Sequence, residues 1–202
     1  MGFYQRELQP RLLNRTLAGH TTEIRERVCA GLRGDVVEIG YGSGRNQPHL
    51  PAEVTSVTAI EPSQVALKLS AARRAASGIP VTVLGTDAQQ MPLPDDRFDA
   101  ALCTWVLCGM DDPLAALREV RRVLRPGAVL HFVEHGLAPE EAVVRRQRQG
   151  NRLNKVIAGC VLDRDVQALL RESGMEVLEL RSYYAEHFPK PPGYFYEGRA
   201  AA

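Results

Sequence analysis

An α/β chain built on a parallel sheet is the fold this sequence predicts, on three observations. Short apolar runs bounded by turns alternate with amphipathic helical stretches between residues 34 and 133, which is the pattern of β-α-β units. The runs carry almost no charge, as strands covered on both faces do. The length of 202 residues suits one fairly large domain with its own core, and no linker divides it.

Residues 3 to 33 read as helix, in two pieces. Leu8, Leu12, Leu13 and Leu17 recur at helical spacing, followed by Ile24, Val28 and Leu32. Gly34-Asp35 breaks that pattern, and Val36 to Ile39 is the first strand. Further strands are expected at 54–60, 81–84, 98–104, 129–133 and 175–180, with a seventh at 194–196. Ser63 is placed to cap a helix running towards Ser77. Asp112 followed by Pro113 starts another, which Pro126-Gly127 ends. Residues 139–158 read as a helix, Asp163 as the cap of a short helix closed by Gly174, and 183–193 as a proline-rich loop.

Composition excludes several classes. The net charge of +1 argues against a duplex nucleic acid as partner. No apolar run approaches the roughly 20 residues of a membrane span, and residues 1–6 lack a basic-then-apolar signal. Gly2 follows Met1, but Arg6 stands where a myristoylation motif wants Ser or Thr. Cys29, Cys103, Cys108 and Cys160 form no C-x-x-C pair, and no histidine sits at zinc-finger spacing. Thiols in a reducing cytoplasm and no metal site are therefore expected.

The most informative stretch is Glu38-Ile39-Gly40-Tyr41-Gly42-Ser43-Gly44-Arg45-Asn46, directly after a strand. Its glycines permit a tight turn and a close ligand. Arg45 stands where a dinucleotide fingerprint needs glycine or alanine. The head carboxylate Glu38 would repel a pyrophosphate and suits a ligand carrying an ammonium group. Glu61, ahead of Pro62 at the end of the second strand, can accept both hydroxyls of a ribose. Asp87, ahead of Ala88 after the third, can accept from an adenine amine. Arg97 to Cys103 is a buried strand opening onto Thr104-Trp105-Val106-Leu107.

In this order and spacing the chain resembles the class I S-adenosylmethionine-dependent methyltransferases of type 11. The matching residues are 36–44, 60–62, 87–88, 98–99 and 123–130. The resemblance implies a Rossmann-like, doubly wound sheet of seven strands, mostly parallel with one antiparallel strand, under an N-terminal helical cover. It implies S-adenosylmethionine as cofactor and S-adenosylhomocysteine as product. Gly40, Gly42, Gly44 and the neighbouring Asn46 would cradle the methionyl part, with Glu38 near its ammonium. Glu61 and Pro62 would meet the ribose, Asp87 and Ala88 the adenine, and Cys103 and Trp105 would line the cofactor.

A closer similarity is to the methyltransferase-like thiol methyltransferases, carried by residues 102–108, 119–127, 132–135 and 158–164. That group carries an N-terminal apolar anchor, which is not read here. The expected activity is methyl transfer to a small-molecule acceptor, with a thiol leading. A lipid, quinone-like or phenolic acceptor is the alternative, as is a cofactor-binding protein without turnover.

Methyl transfer from a sulfonium is an in-line displacement that mainly needs positioning and exclusion of water. A thiol needs little base, being already a few per cent thiolate at neutral pH. The candidate bases are His135, at the carboxyl end of the fifth strand, and His20, in the helical cover; His187 in the proline-rich loop ranks behind them. Arg145, Arg148, Arg152 and Lys155 fall near one helical face, a solvated face or a weak contact for an anionic surface. The chain divides into the cover (1–33), a cofactor-binding core (34–136) and acceptor-side elements (137–202). The sequence leaves the oligomeric state open.

Overall fold

The computed structural model describes residues 7–16 and 21–202. His20, Tyr4 and Leu17 lie outside the described residues. Seven strands form one sheet: β1 (Gly34–Ile39), β2 (Val54–Ile60), β3 (Val81–Leu84), β4 (Phe98–Thr104), β5 (Leu124–His135), β6 (Glu176–Tyr184) and β7 (Tyr194–Ala201). Their order is β3-β2-β1-β4-β5-β7-β6. The first five run parallel, and β7 is antiparallel to both β5 and β6. This is the doubly wound Rossmann-like arrangement. The chain winds outward in one direction through β2 and β3 and in the other from β4, so the switch point lies between the carboxyl ends of β1 and β4.

Strand alternation explains the two cores. Val36 and Val37 are neighbours in β1 and fully buried, yet they belong to opposite faces, as do Ala101 and Leu102 in β4. On one face lie α4 (Pro113–Val123), through Leu117 and Val120, and α6 (Val166–Glu172), through Leu170. The other is covered by α2 (Thr22–Cys29), through Val28, and α3 (Gln64–Ala76), through Leu67. Burying each of these leucines or valines stabilises the fold by about 1.5–3 kcal/mol. Strands covered on both sides need no polar alternation, which is why they read as plain apolar runs.

The expected caps of α3 and α4 are present: Ala66 N donates to Ser63 Oγ (3.2 Å) and Ala115 N to Asp112 Oδ1 (2.9 Å). For α6 the cap is Asp165, whose Oδ1 accepts from Ala168 N at 2.9 Å, not Asp163. Asp163 faces α5 (Glu141–Ile157) instead and accepts from Asn151 Nδ2 at 2.6 Å. A capping oxygen must reach the amide three residues on, which Asp165 does; Asp163 lies too far upstream of Ala168. β5 starts at Leu124, earlier than expected, because the chain passes from α4 directly into extended backbone and Pro126-Gly127 lies inside the strand. β6 continues to Tyr184, so the loop before β7 is short and holds α7 (Lys190–Gly193). Among the described residues no helix is long and apolar enough to cross a membrane.

Candidate functional site

A cavity of about 530 Å³ opens at the switch point. That volume suits a small-molecule ligand. Its floor is the turn after β1, through Gly40, Tyr41, Gly42, Ser43, Arg45 and Asn46. Glu61, Pro62 and the first turn of α3 form one wall, and Thr104 and Trp105 at the end of β4 form another. α1 (Gln9–Thr16) lies over the opening and contributes Gln9, Pro10 and Asn14. Asn14 fastens this cover: its Oδ1 accepts from Ser43 Oγ at 2.8 Å, and its carbonyl accepts from Arg45.

The glycines are required by contact as well as by conformation. Gly40 has φ +62°, and a Cβ there would stand 2.3 Å from a Val106 methyl. Gly44 has φ +72° and packs beneath Tyr41 and Ser70, away from the cavity. Gly42 faces the cavity and donates its N–H to Glu61 Oε2 at 2.8 Å. Glu61 Oε1 accepts from Ser63 N at 2.8 Å. The carboxylate is thus held rigidly by two amides while each oxygen keeps a second lone pair for a ligand. Burial raises its pKa, against the pull of these two amides.

Glu38 is buried beneath the turn. Its Oε1 accepts from Asn46 Nδ2 at 2.8 Å, and its Oε2 is buried without a hydrogen-bond partner. Burial pushes its pKa up to about 8, opposed by the Asn46 hydrogen bond and the Arg25 charge. Asn46 Oδ1 in turn accepts from Arg25 Nη1 at 2.6 Å, and Asn46 Nδ2 also reaches Thr104 Oγ1 at 2.9 Å. Arg25 is itself buried, which lowers its pKa to about 10. Asn46 therefore bridges a buried acid and a buried cation at the edge of the cavity.

Trp105 holds a left-handed conformation, φ +54°. Such strain in a non-glycine residue persists only where surroundings enforce it. Here the enforcer is Glu134, fully buried at the end of β5. Its Oε1 accepts from Val106 N (2.6 Å) and Leu107 N (2.9 Å), and its Oε2 from Cys108 N (3.2 Å). Trp105 N donates to Val133 O at 2.8 Å. One carboxylate therefore folds the turn that carries the indole.

The structure brings Gly40, Gly42, Asn46, Glu61, Pro62 and Trp105 together around the cavity, with Glu38 and Gly44 directly behind its floor. Four expected residues are elsewhere. Cys103 points to the opposite face of the sheet from Thr104, with its thiol on Glu134 at 3.4 Å, and does not line the cavity. Asp87 is exposed and turns onto Gln89, whose backbone N it accepts at 3.0 Å. Ala88 is packed in the core beside Met91. His135 stands off the cavity with its ring edge-on to Phe195 at 5.0 Å, and Phe195 in turn meets Trp105 at 5.6 Å. Burial lowers the His135 pKa to about 4.

Sequence reasoning passed over Arg25, Asn14, Thr104 and Glu134. Arg25 had a signal, since it falls one turn from both Thr21 and Cys29 on the inward stripe of α2. Asn14 had none, because its partners Ser43 and Arg45 are distant in the chain.

Comparison with known proteins agrees with this geometry. Residues 37–132 match the methyltransferase domain family. Thiol S-methyltransferase TMT1B of Homo sapiens is 33% identical over 135 residues, covering 62% of this chain and 54% of that protein. The chain thus spans about half the length of that relative. O-methyltransferase rstn1 of Aspergillus nomiae is 29% identical over 167 residues, 79% of this chain and 72% of that one. The crystal structure of an S-adenosylmethionine-dependent methyltransferase from Aquifex aeolicus shares the fold, with TM-score 0.68 at 18% identity, covering 96% of this chain and 98% of that one. The sheet order, the glycine turn after β1 and the match over residues 37–132 make the chain similar to the class I S-adenosylmethionine-dependent methyltransferases, with a likeness to the thiol S-methyltransferases.

Proposed function

We propose that this protein binds S-adenosylmethionine in the switch-point cavity and transfers its methyl group to a small-molecule thiol. The observation that carries the reading is the pairing of two carboxylates across the glycine turn. Glu61 is amide-anchored with lone pairs to spare, and Glu38 has one buried oxygen without a partner. An uncompensated buried polar atom is expensive, and an ammonium group carried by a ligand would satisfy it.

When bound, S-adenosylmethionine supplies a methyl group on a cationic sulfonium. Gly40 and Gly42 let backbone approach the ligand closely, and Glu61 accepts ribose hydroxyls. Asn46 holds the Glu38 carboxyl in place beneath the turn. Trp105 and α1 exclude water and hold the acceptor against the cofactor. No histidine among the described residues lines the cavity, which suits a thiol acceptor that needs little help in losing its proton. A hydroxyl acceptor is the second reading, favoured by the longer match to the fungal O-methyltransferase.

The four cysteines are free, and we assign the protein to a reducing cytoplasm. The basic residues of α5 are exposed, as are Leu153, Val156 and Ile157 near its end. We assign to that helix a weak contact with an anionic surface, of which Arg148 and Lys155 also serve ion pairs with Asp163 and Asp111.

Calorimetry with S-adenosylhomocysteine and with NAD tests the cofactor, with binding expected for the first alone. A screen with a labelled methyl donor over alkyl thiols, phenols, amines and lipids tests the acceptor. Binding of S-adenosylhomocysteine without methylation of any thiol overturns the thiol reading; tight NAD binding overturns both.

A further inference from the structure

Behind the Trp105 turn, three side chains that are far apart in sequence converge. Cys108, His135 and Cys160 each offer one donor atom, and the three atoms lie within 4.8 Å of one another. No linear spacing announces them, because Cys108 follows β4, His135 ends β5 and Cys160 follows α5.

The surroundings favour a ligand set over a chance packing of thiols. His135 Nδ1 is buried with no hydrogen-bond partner, so its lone pair is uncommitted. Cys160 Sγ accepts from Asn154 Nδ2 at 3.2 Å, a hydrogen bond that supports a thiolate. The same amide group donates to the Cys160 carbonyl at 2.8 Å, and Val161 N donates to the Cys108 carbonyl at 2.9 Å, which fixes the two sulfur-bearing segments together.

We propose that Cys108, His135 and Cys160 form a zinc(II) site with an open fourth position. Two sulfurs and one nitrogen are the donors this ion prefers. Two thiolates neutralise a divalent cation, so the centre can stay buried without net charge. Tetrahedral bond lengths of about 2.3 Å to sulfur and 2.0 Å to nitrogen put the donors roughly 3.5–3.8 Å apart. Closing from within 4.8 Å needs only side-chain adjustment. Three protein ligands leave one position for water or an exogenous thiolate. Cys160 is the more exposed of the two cysteines, so access lies on its side. His135 is then a ligand rather than a base. The site ties the segment after α5 to the turn that presents Trp105.

The test uses the full chain, stripped with chelator under reducing conditions and free of any affinity tag. Zinc is added, excess is removed, and retained metal is counted by mass spectrometry. One zinc per chain is expected, with a rise in melting temperature. Cobalt(II) in its place should give a thiolate-to-cobalt charge-transfer band. Cys160→Ser should weaken zinc binding by about tenfold or more and remove the rise in melting temperature, and His135→Asn should do the same. Failure of the reduced wild-type chain to retain zinc overturns the proposal. So does a cobalt complex without the charge-transfer band, or wild-type retention by Cys160→Ser. Should a variant fail to fold, the wild-type cobalt spectrum alone decides.

Discussion

The Arg25 guanidinium lies over the Trp105 ring, its central carbon 4.8 Å from the ring centroid. A buried cation on an aromatic face contributes up to about 2 kcal/mol. Arg25 also donates to Asn46 and Thr104 at the edge of the cavity. Trp105→Ala should weaken S-adenosylhomocysteine binding by about tenfold, as measured by calorimetry. Because Trp105 sits at φ +54°, Trp105→Gly should melt higher than Trp105→Ala, by about 1 kcal/mol in unfolding free energy. Equal stability of the two would show that the turn stores no strain.

Glu38 makes stability depend on pH with a definite sign. Its pKa rises from the ordinary 4.5 to about 8 on folding. The unfolded chain therefore holds fewer protons than the native one between those values, and stability conferred by the neutral acid is lost as pH rises through that window. The ligand-free protein should lose unfolding free energy between pH 4.5 and 8, and Glu38→Gln should flatten that slope in denaturant titrations at several pH values.

Ligand binding should run the opposite way. An ammonium beside Glu38 favours its ionised form, so binding expels a proton. Affinity for S-adenosylhomocysteine should rise from pH 6 towards 8, and fall only at more alkaline pH, where the ligand's own α-amino group loses its charge. Calorimetry in buffers of different ionisation enthalpy reads the proton release directly; an affinity independent of pH would remove Glu38 from the amino-group site.

Gly40 and Val106 form a second testable pair. A Cβ at position 40 meets the Val106 methyls at 2.3 and 2.6 Å and is held at φ +62°. Gly40→Ala should destabilise by about 2–4 kcal/mol, from overpacking and left-handed strain together. Val106→Ala in the same chain should recover part of that, since it removes the clash but not the strain. A double-mutant cycle showing no coupling would mean that backbone conformation alone excludes alanine.

The exposed end of α5 predicts surface behaviour. Arg145, Arg146 and Arg152 surround an outward face bearing Leu153 and Val156. Co-sedimentation with vesicles containing anionic phospholipid should exceed that with neutral vesicles and should fade at high salt. Arg145→Glu with Arg152→Glu should abolish the difference. Equal sedimentation with both vesicle types would leave this helix a plain solvated face.

Much of the fold was legible because strands buried on both faces write themselves as uninterrupted apolar runs. Val54–Ile60, Val81–Leu84 and Phe98–Thr104 appear in the structure with the bounds the sequence suggests. β6 and the carboxyl end of β5 extend past their apolar centres, since pairing with β7 recruits residues whose side chains give no periodic signal. Position alone suggests that the turn after β1 and the end of β2 face one pocket, and both do line the cavity. Asp87 and Cys103 do not, because a loop's path and a strand's facing decide them, and a family pattern carries neither. Glu134 went unread for its work, as only the fold reveals that its carboxylate gathers the amides of Val106, Leu107 and Cys108.

The place of β7 has a consequence for how the chain matures. It lies between β5 and β6, antiparallel to both, yet it is the last of the seven strands in the sequence. During synthesis, from the N-terminus onward, β5 emerges with one side unpaired, and β6 has no partner at all. Both remain open edges, a hazard for association with other chains, until residues 194–201 leave the ribosome. His131, Phe132 and Val133 pair with Arg199, Gly198 and Glu197, so the inner layer of the sheet is sealed from its far end. Ribosome-bound nascent chains halted before Tyr194 should stay protease-sensitive across β5, and those released past Ala201 should become resistant as a unit.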